Sequence, residues 1–226
     1  MAAHTKIIEF FGSPACGKTT LCEYLCNHQL REAKVAVVNQ VISEAMTSKL
    51  RLFQSFTFSS FWAGVRVQSA VKRHIKRRDL PSMYMVRHAM YYNYIKKFSD
   101  YDIVLVDHGD IQSFVSMMGG KDIQEDIRFV KACSNYLDTS PTSLYCFCDV
   151  TPNVALERMH KRATFHGRID KIEEKEKQIE EISQEIYRFV SFAEMLKSKD
   201  KEFMELDMNY ETSILANIVT DKLAKL

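Results

Sequence analysis

The sequence has no long apolar run. Its longest stretches, such as IVLV at 103–106 and SLYCFC at 143–148, fall far short of the roughly 20 residues that a bilayer-spanning helix needs. No membrane association is expected. Glycine and proline are scarce, 7 and 4 of 226 residues, and neither a Pro/Gly/Ser-rich linker nor an internal repeat divides the chain. With 46% hydrophobic and 27% charged residues, collagen-like, low-complexity and disordered classes fall away and a sizeable core is within reach. An excess of one charge is also missing, since Lys+Arg 31 against Asp+Glu 29 leaves +2. Without a global field to hold DNA or an anionic surface, any bound anion must be gripped locally.

No C-x-x-C pair occurs among the six cysteines at 16, 22, 26, 133, 146 and 148, so they read as reduced, buried thiols rather than as disulfides or a metal site. The opening MAAHTK carries neither a secretory h-region nor an Arg-rich leader. A cytoplasmic location is the resulting expectation.

What is present is a repeated alternation of short apolar and longer helical stretches. KIIEFFG at 6–12, VAVVNQ at 35–40, DIVLVDHG at 102–109, SLYCFCDV at 143–150 and EFMELDM at 202–208 are β-rich and apolar throughout, as strands covered on both faces must be. The pattern predicts an α/β fold, a five-stranded parallel sheet with helices on both faces, in one domain over 1–226. Residues 41–101 exceed a minimal crossover and carry helical stretches near 60–78 and 82–98. The second is dense in Met and Tyr, which suits either an acceptor-binding insertion or a face packed on the core. Residues 170–198 read as one long charged helix with an apolar stripe at Ile172, Ile179, Ile182, Ile186 and Val190.

Between the first strand and the first helix, Gly12-Ser13-Pro14-Ala15-Cys16-Gly17-Lys18-Thr19 fits the P-loop pattern G-x-x-x-x-G-K-S/T. Terminal glycines let the backbone turn so that N–H groups point at phosphate oxygens, and the helix N-terminus adds donors and dipole. These residues and Thr20 are the expected ATP-binding set, with Lys18 on the β- and γ-phosphates and the Thr19 hydroxyl on Mg²⁺. Asp107 ends the apolar run IVLV, so its carboxylate emerges at the carboxyl edge of the sheet as a second metal ligand. Asp110 is the better candidate to cap the helix that follows. Farther on, Arg158, Lys161, Arg162 and Arg168 surround ATFHG, an arginine-bearing segment over about 158–170 able to cover a transferring phosphoryl group and neutralise its charge.

The string DVTPNVALERMHKR with GRID, together with FMELDMNYETSILANIVTDKL, resembles the lid segment and the last strand, adenine-side loop and final helix of thymidylate kinases. The P-loop, Asp107 and Gly119-Gly120 fall in the same order. The resemblance implies a P-loop kinase using ATP and Mg²⁺, with Lys18, Asp107, Arg162 and Arg168 catalytic and Arg158 on ATP. It implies that Arg87 and Ser113 serve the acceptor, and that the protein is a homodimer. Three departures concern the acceptor rather than the donor: His108-Gly109 stands where the family has Arg and an aromatic, NQVISEA at 39–45 lacks its Arg-Glu-Pro-Gly-Gly signature, and Pro14 replaces an acidic residue. They point away from thymidylate. His108 could bind an acceptor phosphate when protonated, accept a proton from a hydroxyl when neutral, or simply start a helix.

The expected activity is therefore phosphoryl transfer from Mg-ATP to a small acceptor, a nucleoside monophosphate first, a nucleoside or other hydroxyl compound second. A nucleotide-dependent switch is the alternative from another class. Nucleic acid is not an expected partner, because the basic run from Lys72 to Arg78 has no interleaved aromatic. It reads as a solvated helix end.

Overall fold

The computed structural model describes residues 5–47, 49–74, 84–118, 127–161 and 169–226. Its five parallel strands are β1 (Lys6–Phe11), β2 (Val35–Val37), β3 (Ile103–Val106), β4 (Leu144–Asp149) and β5 (Phe203–Asp207), ordered β2-β3-β1-β4-β5 in one sheet. Every residue of β3 is buried, as are five of six in β1 and in β4, which is why these segments read as unbroken apolar runs. The α/β architecture expected from the sequence is the one observed.

The chain forms two compact units by contact density. One comprises Met1–Ile8, Ala33–Val106 and Ser116–Ser143. It holds β2 and β3, paired in register Val35 to Ile103, with α2 (Val38–Thr47), α3 (Lys49–Gln54), α4 (Phe58–His74), α5 (Tyr84–Phe98) and α7 (Ile127–Thr139), the chain-order label α6 belonging to the other unit. Its core gathers Ile7, Val38, Val41, Ala45, Tyr92, Ile95 and Val104. The second strand is shorter than expected, because the chain turns helical at Val38. Val38, Val41 and Ala45 are all buried, a spacing of three and four that suits a helix face and overrides the β-preference of VAVVNQ. The Met- and Tyr-rich helix near 82–98 is largely a core element, since Met85, Val86, Tyr92, Tyr94 and Ile95 are buried.

The other unit comprises Glu9–Glu32, Asp107–Val115 and Leu144–Leu226. It contains α1 (Lys18–Tyr24), continued by a π-turn at Leu25–Gln29, α6 (Asp110–Met118), whose last turn reaches past the boundary, α8 (Pro152–His160), α9 (Lys175–Ser198) and α10 (Thr212–Leu223), with β4 and β5 paired from Tyr145 on Phe203 to Asp149 on Asp207. Phe11 stacks on Phe147 at 5.4 Å and lies 6.2 Å from Phe189 and 6.5 Å from Phe203, ring centre to ring centre. An aromatic cluster thus supports the residue that immediately precedes Gly12. The long helix starts at Lys175, later than expected, after a 3-10 turn at Ile169–Lys171. Its apolar stripe is also displaced: Val190 is 38% exposed while Ile182, Phe189, Phe192, Ala193 and Leu196 are buried. Isoleucine spacing alone had missed the phenylalanines that meet Phe11 and Phe114.

Candidate active site

Two glycine-dependent turns shape the loop between β1 and α1. Gly12 has φ 154°, and a Cβ there would come within 2.4 Å of the Cys148 carbonyl oxygen. Gly17, the residue before α1, has φ 110°, a left-handed conformation that other residues adopt only with strain. Ala15 sits between them at φ 61°. The loop closes on itself through Cys16 N–H donating to Ser13 O at 3.3 Å, and α1 starts with Leu21 N–H on Gly17 O at 3.0 Å.

Lys18 is held over this loop. Its ammonium donates to Gly12 O at 2.9 Å and Ser13 O at 3.0 Å and lies 3.3 Å from Cys16 Sγ. One residue on, the Thr19 hydroxyl donates to Asp107 Oδ2 at 2.7 Å. The carboxylate expected from the end of the IVLV run and the hydroxyl expected from the loop are therefore direct partners. Behind the loop, Arg158 on α8 donates from Nη1 to Cys16 O at 2.9 Å and from Nη2 to Met208 O at 2.8 Å. One planar guanidinium thereby joins the loop to the segment after β5. That segment is fixed by Met208 N–H on Asp149 O at 2.9 Å and by Asp207 Oδ1 accepting from Asn209 N–H at 3.0 Å.

Of these residues Lys18, Thr19, Arg158 and Met208 line a cavity of about 430 Å³, together with Tyr210 and Leu215. One wall supplies backbone N–H groups and a cation, the other an apolar and aromatic face, the two chemistries of a nucleotide with its phosphates and its base. Ser13 adds a hydroxyl that is 1% exposed and has no hydrogen-bond partner among the described residues.

The remaining expected residues are distributed unevenly. His108 is exposed beside Asp107, and Ser113 is buried with its hydroxyl donating to Gly109 O at 2.7 Å, the residue just before α6. Arg87 belongs to the other unit, where it lines a cavity of about 380 Å³ with Met46, Leu52, Met90 and Tyr91. Arg162 and Arg168 lie outside the described residues, as do Gly119 and Gly120. Sequence reasoning missed Glu9, a fully buried carboxylate on β1 whose Oε1 accepts from Ile111 N–H at 2.7 Å and so caps the first turn of α6. The only signal for it was a charge inside KIIEFF.

No protein-family model matches the sequence, and no curated protein matches it. Solved structures do. A deoxyadenosine kinase from M. mycoides, solved with the products dCMP and a flexible dCDP bound, is 14% identical at a TM-score of 0.53, covering 97% of this chain and 100% of that one. The likeness is one of fold, a five-stranded parallel sheet with helices. A deoxyadenosine kinase from M. mycoides with bound dATP is 12% identical at a TM-score of 0.49, covering 97% of this chain and 99% of that one. These neighbours are not thymidylate kinases, so the resemblance to that family is not shown by them; the Lys18, Thr19 and Asp107 cluster follows β1 and β3 at their carboxyl ends, the edge where parallel α/β sheets bind ligands. Among the described residues no helix is long and apolar enough to cross a membrane.

Proposed function

We propose that the protein is an ATP-dependent kinase that phosphorylates the hydroxyl of a nucleoside. The observation that carries this reading is the Lys18, Thr19 and Asp107 cluster at the mouth of a P-loop, on a fold shared with a deoxyadenosine kinase. ATP would lie with its phosphates along Gly12–Thr20 and its base toward Met208, Tyr210 and Leu215. Ser13 Oγ, buried and without a partner among the described residues, would donate to a phosphate oxygen. Its hydroxyl and the loop N–H groups would fix the triphosphate in line for transfer.

Thr19 and Asp107 offer hard oxygen donors in direct contact, and these two residues would hold Mg²⁺. The ion, when bound, neutralises charge on the β- and γ-oxygens. Lys18 would leave the Gly12 and Ser13 carbonyls to follow the γ-phosphoryl group, since an oxyanion is a stronger acceptor than a neutral carbonyl. Arg158 holds the loop carbonyl of Cys16 and the turn at Met208, so it sets the distance between phosphate and base subsites. Arg162 and Arg168 would cover the transferring group.

A specific feature keeps nucleoside monophosphates as a second reading. Arg87 is the charged group among the described residues that line the cavity with Met46, Leu52, Met90 and Tyr91, and a guanidinium beside apolar side chains suits a phosphate. Measuring ADP release from ATP across a panel of nucleosides and nucleoside monophosphates tests both. A nucleoside-dependent signal is expected, a monophosphate-dependent one selects the second reading, and acceptor-independent turnover overturns the kinase.

A further inference from the structure

Half of the exposed large apolar side chains among the described residues lie between Met46 and Trp62. Phosphoryl transfer has no use for most of them. Leu50 and Phe53 on α3, and Phe58 at the start of α4, are each at least 70% exposed. Phe56 lies 5.3 Å from Phe61, and Trp62 lies 5.9 Å from Phe58 and 5.7 Å from Phe61, the last two edge to face. The rings thus form one continuous knob. It stands on a fixed base: Lys97 Nζ donates to Gln54 O at 3.1 Å, Ser55 Oγ lies 3.2 Å from Met90 O, and Asn93 Nδ2 donates to Thr57 Oγ1 at 3.2 Å, so the turn between α3 and α4 is tied to α5. Apolar side chains gathered in water on a structured base mark an interaction surface.

Charge says what covers it. Between residues 45 and 78 the sequence carries eight Lys and Arg and no Asp or Glu, in a chain whose net charge is only +2, so the remainder is net acidic. Arg51 on α3 is exposed, and Phe58, Trp62 and Arg66 recur every four residues along one exposed face of α4. Guanidiniums therefore flank the rings along a segment without carboxylates. A second copy of the chain fits such a face poorly, because a two-fold contact would set arginines against arginines. Single-stranded nucleic acid needs open ring faces for its bases, whereas Phe58, Phe61 and Trp62 already pack edge to face on one another. Leu50 offers nothing to a base. Apolar side chains beside cations match the layered chemistry of an anionic bilayer, acyl chains beneath phosphates.

We propose that this surface docks on an anionic phospholipid bilayer, with Leu50, Phe53, Phe58 and Trp62 entering the acyl boundary and Arg51 and Arg66 reaching the headgroup phosphates. The expectation of no membrane association rested on the missing apolar run. Lying on a bilayer requires no spanning helix, and none is present among the described residues.

Trp62 is the chain's single tryptophan, so its emission reports on this surface alone. The test mixes the full chain, without nucleotide, with vesicles of phosphatidylcholine alone and of equal parts phosphatidylcholine and phosphatidylserine, and reads co-sedimentation and Trp62 emission. Binding to the serine-containing vesicles should be stronger by roughly tenfold or more. It should blue-shift the emission as the indole leaves water, and weaken several-fold at high salt. Phe53→Ser combined with Phe58→Ser should lower binding by about tenfold or more, with an unchanged melting temperature because both side chains are exposed. Arg51→Gln combined with Arg66→Gln should remove most of the preference for phosphatidylserine and keep the blue shift at saturating lipid. Failure to sediment with either vesicle, or sedimentation unchanged by the paired Phe53→Ser and Phe58→Ser substitutions, would overturn the proposal. So would quenching of Trp62 by a single-stranded oligonucleotide that binds more tightly than any vesicle, which would assign the surface to nucleic acid. A blue shift that grows with protein concentration alone would overturn it in favour of a second copy. None of these readouts involves turnover, so they stand or fall apart from the kinase reading.

Discussion

The two cavities are built by different means. In the unit that carries the P-loop, the cavity is lined by side chains hydrogen-bonded to backbone, with Lys18 on two loop carbonyls and Arg158 on a third and on Met208 O. In the other unit, the cavity is lined by residues of three helices, Met46 from α2, Leu52 from α3 and Arg87, Met90 and Tyr91 from α5. On the proposed function, the first would bind by fixed dipoles, which suit a phosphate chain that is the same in every nucleotide. The second would bind by shape and the charge of Arg87, and shape is what changes when an acceptor changes. Donor chemistry is thus the more deeply built in of the two.

That contrast can be broken most sharply at Lys18. Lys18→Ala should lower phosphoryl transfer by roughly 10²–10³-fold, the cost of deleting one transition-state donor, with little change in melting temperature because the residue serves phosphates and not the core. Steady-state ADP release and a thermal melt check it, and activity within a few-fold of wild type would undo the P-loop assignment. Next in size is Arg158→Ala, which removes the bonds to Cys16 O and Met208 O. At roughly 1.5–3 kcal/mol for hydrogen bonds from a charged group, the ATP KM should rise by about tenfold or more while the acceptor KM stays put. A rise confined to the acceptor would mean that the cavity has been assigned to the wrong ligand.

Arg87→Ala sharpens the comparison from the other side. With a nucleoside as acceptor the effect should be small. With a monophosphate the acceptor KM should rise by about tenfold, as expected for a charge-assisted contact, and ATP should be unaffected in both cases. Titrating each substrate at saturating levels of the other separates these outcomes. His108→Arg should lower activity on the preferred acceptor by a few-fold, since a longer side chain then stands beside Asp107 where Gly109 leaves room. Equal or higher activity, best on thymidylate, would instead restore the thymidylate kinase resemblance to the acceptor. Smallest of all, Val190→Ser should shift stability by no more than about 0.5 kcal/mol because the residue is exposed. Phe189→Ala on the same helix should cost roughly 3–5 kcal/mol, and paired denaturation curves would expose any error in the face assigned to α9.

The P-loop was legible because its chemistry is local: glycines where the backbone must turn or approach closely, a lysine and a threonine at fixed offsets, an apolar strand before and a helix after. Asp107 was legible for a related reason, since a charge at the end of IVLV can only emerge at the sheet edge. Long-range pairings left no such trace. Nothing in ALERM says that Arg158 would lie against Cys16 and Met208, and nothing in KIIEFF says that Glu9 would cap α6. Nothing in SLYCFC says that the Cys148 carbonyl would lie against Gly12, far earlier in the chain. The start of α2 at Val38 and the Phe189 and Phe192 face of α9 were decided in the same way, by what each helix packs against. The sequence by itself determined the strand pattern, the phosphate loop and its cation, because propensity, glycine conformation and motif spacing act over a few residues. Only the tertiary structure decided which distant carbonyls and aromatic rings meet, because those contacts depend on how buried elements from remote parts of the chain pack.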